Sequence, residues 1–185
     1  MEILKFNLKG SHAFFKVPEV NTYYYFTYGN IHKVALLGML GAIMGYKGYQ
    51  MEDKDYLEFY EKLQYLNVSI VPEQKQGYFQ KKIQVFNNSV GYASKEAGGN
   101  LIVKEQWLEN PEWTIYIQIK DEESRELAER IMARKCTYMP YLGKNDHMAD
   151  ISGMCIVSGE ERFPKNETAD SLVPEGAVQF DWDEM

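Results

Sequence analysis

The sequence predicts an α+β fold in a single compact domain, and three observations carry that reading. Residues 113–120 alternate strictly, with Ile115, Ile117 and Ile119 on one face, which is the period of a half-buried strand. Residues 30–45 form an almost wholly apolar run between two good helix-capping residues, Asn30 and Gly45. Around these segments, strand and helix periods take turns in the order strand, helices, strand, long hairpin, strand, helix, irregular tail. That order is close to the βαββαβ arrangement of a ferredoxin-like (RRM-like) domain carrying an inserted hairpin.

Ile3 to Lys9 is rich in apolar residues and ends at Gly10, so it is the first expected strand. A loop through Pro18 leads to the aromatic block Tyr23-Tyr24-Tyr25-Phe26-Thr27-Tyr28, which either packs on both faces as a strand or offers rings on which bases stack. The helix at 30–45 is apolar on most of its circumference and is therefore expected to be buried. Gly38 and Gly41 inside it each cost about 1 kcal/mol relative to alanine. Three residues apart, they open a groove where a sheet or another backbone approaches closely. Tyr56 to Leu66 supplies a second helix, with Tyr56, Phe59, Tyr60 and Leu63 on its apolar face. Val68 to Val71 is a strand stopped by Pro72. From Phe79 to Val103, Ile83, Val85 and Leu101-Ile102-Val103 flank an interior of Asn, Ser and Gly, the pattern of a hairpin projecting from the body. Asp121 to Lys135 is an amphipathic helix, acidic at its start and basic at its end, as the macrodipole favours. The expected organisation is a domain over 1–152, with the hairpin at about 75–105, and a short, irregular, acidic C-terminal extension over 153–185 that is loop-rich with room for two short strands.

At 185 residues, with 45% hydrophobic content, the chain supports an ordinary core. The longest apolar run, Val34 to Met44, is well short of the roughly 20 residues a spanning helix needs. No signal-peptide pattern opens the chain, and Cys136 and Cys155 are expected as free thiols, so the expected location is cytoplasmic, without a membrane partner. No Cys/His spacing suggests zinc, and no motif calls for a cofactor. The net charge of −7 is unevenly spread. Residues 160–185 hold eight acids and two bases, a net of −6, whereas residues 75–104 hold five lysines against Glu96, a net of +4. A basic segment in a neutral body is compatible with RNA binding.

Four groups of polar residues are candidates for such binding. His32 and Lys33 follow the cap of the long helix, where free backbone N–H groups favour an anion; they are equally the start of an ordinary core helix. Lys81, Lys82 and Lys95 lie on the hairpin and are either polyanion contacts or solvated surface lysines. In the loop Met139-Pro140-Tyr141-Leu142-Gly143-Lys144-Asn145-Asp146-His147, Gly143 permits a sharp turn, and Lys144, Asn145 and His147 place donors together; the bland alternative is a solvated turn. Catalytic constellations are scarce: there is no phosphate loop, no nucleophile elbow and no informative pair of carboxylates. His12, His32 and His147 are far apart in sequence, and nothing assembles partners around them.

Together these segments resemble the fifth CRISPR-associated (Cas) protein family. The resemblance rests on Phe6-Asn7-Leu8-Lys9-Gly10, the glycine-bearing helix from His32 to Gly45, Trp107-Leu108-Glu109-Asn110-Pro111-Glu112-Trp113 with its alternating strand, and Tyr141-Leu142-Gly143-Lys144-Asn145. It covers roughly residues 1–152. The family implies a ferredoxin-like core of the repeat-associated superfamily, with the hairpin as a thumb. Its members cap the crRNA 5′ handle in type I Cascade, in contact with the backbone and large subunits and, indirectly, with target DNA. Carried over, the handle-binding candidates are His32, Lys33, Lys144, Asn145 and His147, and the thumb candidates are Lys81, Lys82 and Lys95. Replacing Lys33 or Lys144 by alanine is expected to weaken handle binding and spare the fold. One branch of the family cleaves precursor RNA with a Tyr and a mid-chain Lys-His pair. This sequence has no histidine between His32 and His147, which implies a non-catalytic subunit, type I-B-like in its shortness and tyrosine content. A metal-independent endoribonuclease of CRISPR repeat RNA is the alternative, and a protein-docking module without RNA contact is a third.

Overall fold

A computed structural model describes residues 1–19, 23–48, 56–92, 95–161, 169–174 and 177. The chain folds as α+β, with two antiparallel sheets. Four strands form the larger sheet: β1 (Glu2–Lys9), β3 (Val68–Pro72), β6 (Glu112–Ile119) and β7 (Asp150–Ser158), in the order β3-β6-β1-β7. The smaller sheet has the order β2-β5-β4, from β2 (His12–Ala13), β4 (Lys81–Asn87) and β5 (Ile102–Glu109). Three helices complete the described structure: α1 (Lys33–Met44), α2 (Glu58–Leu63) and α3 (Glu122–Met132).

Register explains the core. Leu4, Phe6 and Leu8 of β1 stand directly opposite Ile117, Ile115 and Trp113 of β6, and all six are fully buried. Cross-strand apolar pairs of this kind are the unit of sheet stabilisation. They join Leu36, Leu37, Leu40 and Ile43 of α1 and Leu127 and Ile131 of α3 in one cluster. The expected notch in α1 is filled by a helix rather than a strand. A side chain at Gly41 would overlap Phe59 of α2, and Gly38 faces the same ring. The helix ends at Gly45 in the left-handed conformation, as expected.

Several boundaries differ from the sequence reading. His32, not Asn30, caps α1, its Nδ1 accepting from the Ala35 N–H at 3.3 Å. Asn30 is held instead between strands and loop, donating to the Gly77 carbonyl and accepting from the Trp113 indole, each at 3.0 Å. The second helix is shorter than 56–66, and Tyr56 is exposed. The hairpin's polar middle is its connection, while β5 runs on to Glu109 and pairs with β2, so the base of the hairpin is built into a sheet. The block 23–28 is not a strand buried on both faces. Tyr25 makes a parallel bridge to Glu105, Thr27 bridges Lys16, and Tyr23, Tyr24, Phe26 and Tyr28 remain exposed.

The largest correction lies at the C-terminal end. The expected irregular extension from 153 begins as the second half of β7, which pairs with β1 along its length. A register shift opposite Lys5–Asn7 and the positive φ of Gly153 break the strand's alternation, which is why its period is hard to read. Farther on, Ser171 and Leu172 hydrogen-bond Ile70, covering part of the outer edge of β3. Most of the acidic segment after 161 lies outside the described residues.

Candidate nucleic-acid interface

At the start of α1, the local sequence makes His32 the cap and leaves the first turn without acids. The exposed imidazole sits edge-on to Tyr28, with ring centroids 5.1 Å apart, and to Phe15 at 6.3 Å. These rings withdraw it from water and hold its pKa below the ordinary histidine value. His32 is therefore mainly neutral at pH 7, and its Nδ1 is committed to the cap. Lys33 does not stand free at the helix mouth. Its Nζ donates to the Gln64 carbonyl at 2.9 Å, at the C-terminal end of α2. A cation there meets the negative end of the helix dipole.

The later loop is tighter than a solvated turn. Leu142 is buried, its N–H donates to the His147 carbonyl, and its carbonyl accepts from the Phe14 N–H. Gly143 has φ of +86°, and a side chain there would overlap the Phe14 carbonyl, so only glycine fits. This docking turns Lys144 inward. Its Nζ pairs with Glu105 Oε2 at 2.9 Å, and the Trp107 indole donates to the same oxygen at 2.7 Å. The ammonium also lies 4.7 Å from the Phe86 ring centre and 5.5 Å from that of Trp107, within cation–π range.

His147 is only 4% exposed. Among the described residues, neither of its ring nitrogens has a hydrogen-bond partner. Trp107 stands edge-on at 4.5 Å, and His12 is 5.9 Å away. Burial is the main reason its pKa falls to about 4, with His12 and Lys144 pushing the same way and Asp146 and Glu105 opposing. His12 is likewise lowered, by burial first and Lys82 second. Of the three loop donors expected at one surface, Asn145 alone is exposed.

On the hairpin, Lys82 lies 3.7 Å from Glu109. Lys81 and Lys95 are exposed, and neither has an ion-pair partner among the described residues. The structure thus separates the predicted residues into three groups. His32, Lys81, Lys95 and Asn145 face solvent; Lys33 and Lys82 are tethered at the surface; Lys144, half-buried, and His147, buried, are turned inward. Sequence reasoning missed the acceptor that captures Lys144, because Glu105 lies 39 positions away. It also missed the ring contacts of Lys16 and Lys104, at 4.2 Å from Tyr25 and 5.2 Å from Tyr24. Among the described residues, no His, Cys, Asp and Glu side chains gather as a metal set, and no helix is long and apolar enough to cross a membrane.

No protein-family model matches the sequence, and no curated protein matches it. Solved structures do. A chain of a CRISPR RNA-guided surveillance complex aligns with a TM-score of 0.57 at 15% identity, over 79% of this chain and 60% of that one. A Cas protein crystal structure aligns with a TM-score of 0.51 at 14% identity, over 98% of this chain and 68% of that one. This chain shares their fold. It spans only 60% of the length of the surveillance-complex chain, and at these identities the likeness speaks for architecture rather than for any residue's role.

Proposed function

We propose that this chain is a non-catalytic subunit of a CRISPR surveillance complex of the Cascade type, binding the crRNA 5′ handle as members of the fifth Cas family do. The observation that carries the reading is the strand order β3-β6-β1-β7. With α1 and α2 between β1 and β3, the β4–β5 hairpin between β3 and β6, and α3 between β6 and β7, it is compatible with the ferredoxin-like arrangement expected from the sequence. The similarity in fold to a surveillance-complex chain supports the same reading. On this view the exposed His32, Lys81, Lys95 and Asn145 meet RNA directly, and Lys33 and Lys82 join them by exchanging weak surface partners for phosphates. Lys144 and His147 support the loop that presents Asn145. The hairpin side faces the backbone subunit, the large subunit is a further partner, and target DNA is reached through the guide. The test is capture: the assembled complex, crosslinked and digested, should yield handle RNA bound to this chain. Recovery of guide RNA on every other subunit but not on this one would refute the proposal.

A second reading, repeat-cleaving endoribonuclease, has one observation in its favour. The fold brings His12 and His147, far apart in the chain, together beside Lys82 and Lys144. Yet His147 is buried and neutral far below pH 7, so it neither reaches a ribose hydroxyl nor carries a proton to a leaving oxygen. The non-catalytic reading is therefore preferred. Incubation with labelled repeat RNA in the absence of metal should leave the RNA intact.

A further inference from the structure

We infer that the strap at residues 23–28 is a stacking platform for unpaired nucleobases, with Tyr24 and Phe26 as its two rings and Lys104 as its phosphate contact. The inference rests on the proposed RNA-binding role and adds to it a site with a different chemistry. The strap's backbone is fixed at both edges. Tyr25 N–H donates to the Lys104 carbonyl and the Gln106 N–H donates to Tyr25, both at 2.9 Å, while Val17 N–H donates to the Phe26 carbonyl at 2.8 Å. In an extended strap neighbouring side chains take opposite faces. Tyr25 goes to one face, where the Lys16 ammonium lies 4.2 Å from its ring centre. Tyr24 and Phe26 go to the other, each 37% exposed, with ring centres 6.3 Å apart and planes inclined by 37°.

Two partly exposed rings on a fixed backbone are costly in water and preorganised for flat ligands. The Lys104 ammonium, 5.2 Å from the Tyr24 ring centre, supplies positive charge beside them. The carboxylate next to it in sequence, Glu105, is buried and neutralised by Lys144, so it does not oppose an anion on this face. Flat aromatic faces flanked by a cation fit single-stranded RNA, one base on each ring and a phosphate at the ammonium. Exposed Ile83 and Val85 on β4 extend the apolar character nearby. A protein segment is therefore the competing occupant.

The experiment measures binding of the full chain to a short labelled single-stranded oligoribonucleotide, and to an abasic oligomer of equal length and charge. Tyr24→Ala with Phe26→Ala should weaken binding to the first at least about tenfold, with little change in salt dependence. Binding to the abasic oligomer should be the same for wild type and variant. Tyr24→Phe with Phe26→Tyr keeps both rings and should bind as wild type, which separates stacking from misfolding. Lys104→Gln should flatten the salt dependence by a slope of about 0.7, one phosphate contact. If the wild-type chain binds RNA and the double alanine variant, folded by its melting transition, binds equally well, the platform is refuted while the proposed function stands. If the double alanine variant loses a protein subunit from the assembled complex yet keeps RNA affinity, the strap is a protein-docking surface and the inference is again refuted. Failure of the wild-type chain to bind RNA removes both.

Discussion

The chain carries a histidine–lysine combination at two places, and the fold treats them in opposite ways. At the start of α1, His32 and Lys33 lie at the surface, one capping a helix and the other reaching to a carbonyl of the next. In the loop before β7, Lys144 is half-buried, paired to Glu105 beside three aromatic rings, and His147 is buried with both nitrogens unpartnered. In sequence the two look alike: a basic pair beside a glycine or a cap. What separates them is whether a carboxylate and an apolar roof come from elsewhere in the chain. A surface cation tied to a carbonyl is available to a phosphate at small cost. A half-buried one paired to a buried carboxylate is part of the structure.

The largest test of that contrast is Lys144→Ala. It leaves Glu105 buried beside Trp107 without its counter-charge, and because the Lys144 side chain is itself 21% exposed the cost is on the order of 3 kcal/mol, the low end for breaking a buried pair. The expectation that this change spares the fold is therefore reversed. Urea unfolding of the variant should show the loss as a lower midpoint, with Lys144→Ala, Glu105→Ala together recovering part of it. A midpoint within error of wild type would mean that the loop is not anchored by this pair.

Gly143→Ala tests the same anchoring through the backbone. The left-handed φ of +86° strains any L side chain, and the added Cβ overlaps the Phe14 carbonyl, backbone that directly follows β2 and is held by the Phe14 N–H bond to the Leu142 carbonyl. A loss of about 2–3 kcal/mol is expected. Gly41→Ala in α1 is the matched control: its clash is with the Phe59 side chain on short α2, at a cost of about 1–3 kcal/mol from overpacking. If Gly41→Ala proves the more damaging by far, the helix notch, not the loop, is the more rigid region.

Protonation sharpens the comparison further. His147 has a pKa of about 4 in the folded chain against 6.5 when unfolded. Between those values the unfolded state binds the proton that the folded state refuses, so stability rises with pH across the window and is lost as pH falls through it. The groups facing it are His12, Lys144, Asp146 and Glu105. The full effect is on the order of 3 kcal/mol. His147→Leu should flatten the stability profile between pH 6.5 and 4, whereas His32→Leu, at the exposed cap, should change its slope only slightly. A profile for His147→Leu that parallels wild type would show the acid sensitivity to reside elsewhere.

How much of this was legible follows from the range of each signal. The strands at 3–9 and 113–120, the helix from 121 and the glycine-ended helix at 30–45 are readable because their periods and the closing glycine are local, although the N-cap proved to be His32 rather than Asn30. The notch at Gly41 was readable as a notch, but not its occupant, since Phe59 arrives on a different helix. The tail after Gly153 is legible only as loop with short strands, not as the continuation of β7, because a bulge opposite β1 and Gly153 break its alternation. The site was less legible than the fold. Asn145, Lys81 and Lys95 stand where a surface reading puts them, whereas the Lys144–Glu105 pair and the stacked His147, Trp107 and His12 depend on contacts between β2, β5 and a later loop.

The smallest expected effect is at Lys33, and it decides whether a tethered surface lysine serves RNA. Its bond to the Gln64 carbonyl is exposed, and exposed contacts of this kind contribute no more than about 1 kcal/mol. Lys33→Ala should therefore leave the unfolding midpoint nearly unchanged, in contrast to Lys144→Ala. In binding to handle RNA, loss of one phosphate contact should lower affinity modestly and reduce the salt slope by about 0.7. The two measurements together place the ammonium: an unchanged midpoint with a reduced slope means that it leaves Gln64 for a phosphate when RNA arrives. An unchanged slope means that it stays on the carbonyl, and the start of α1 is then a capped core helix beside the RNA rather than part of its binding surface.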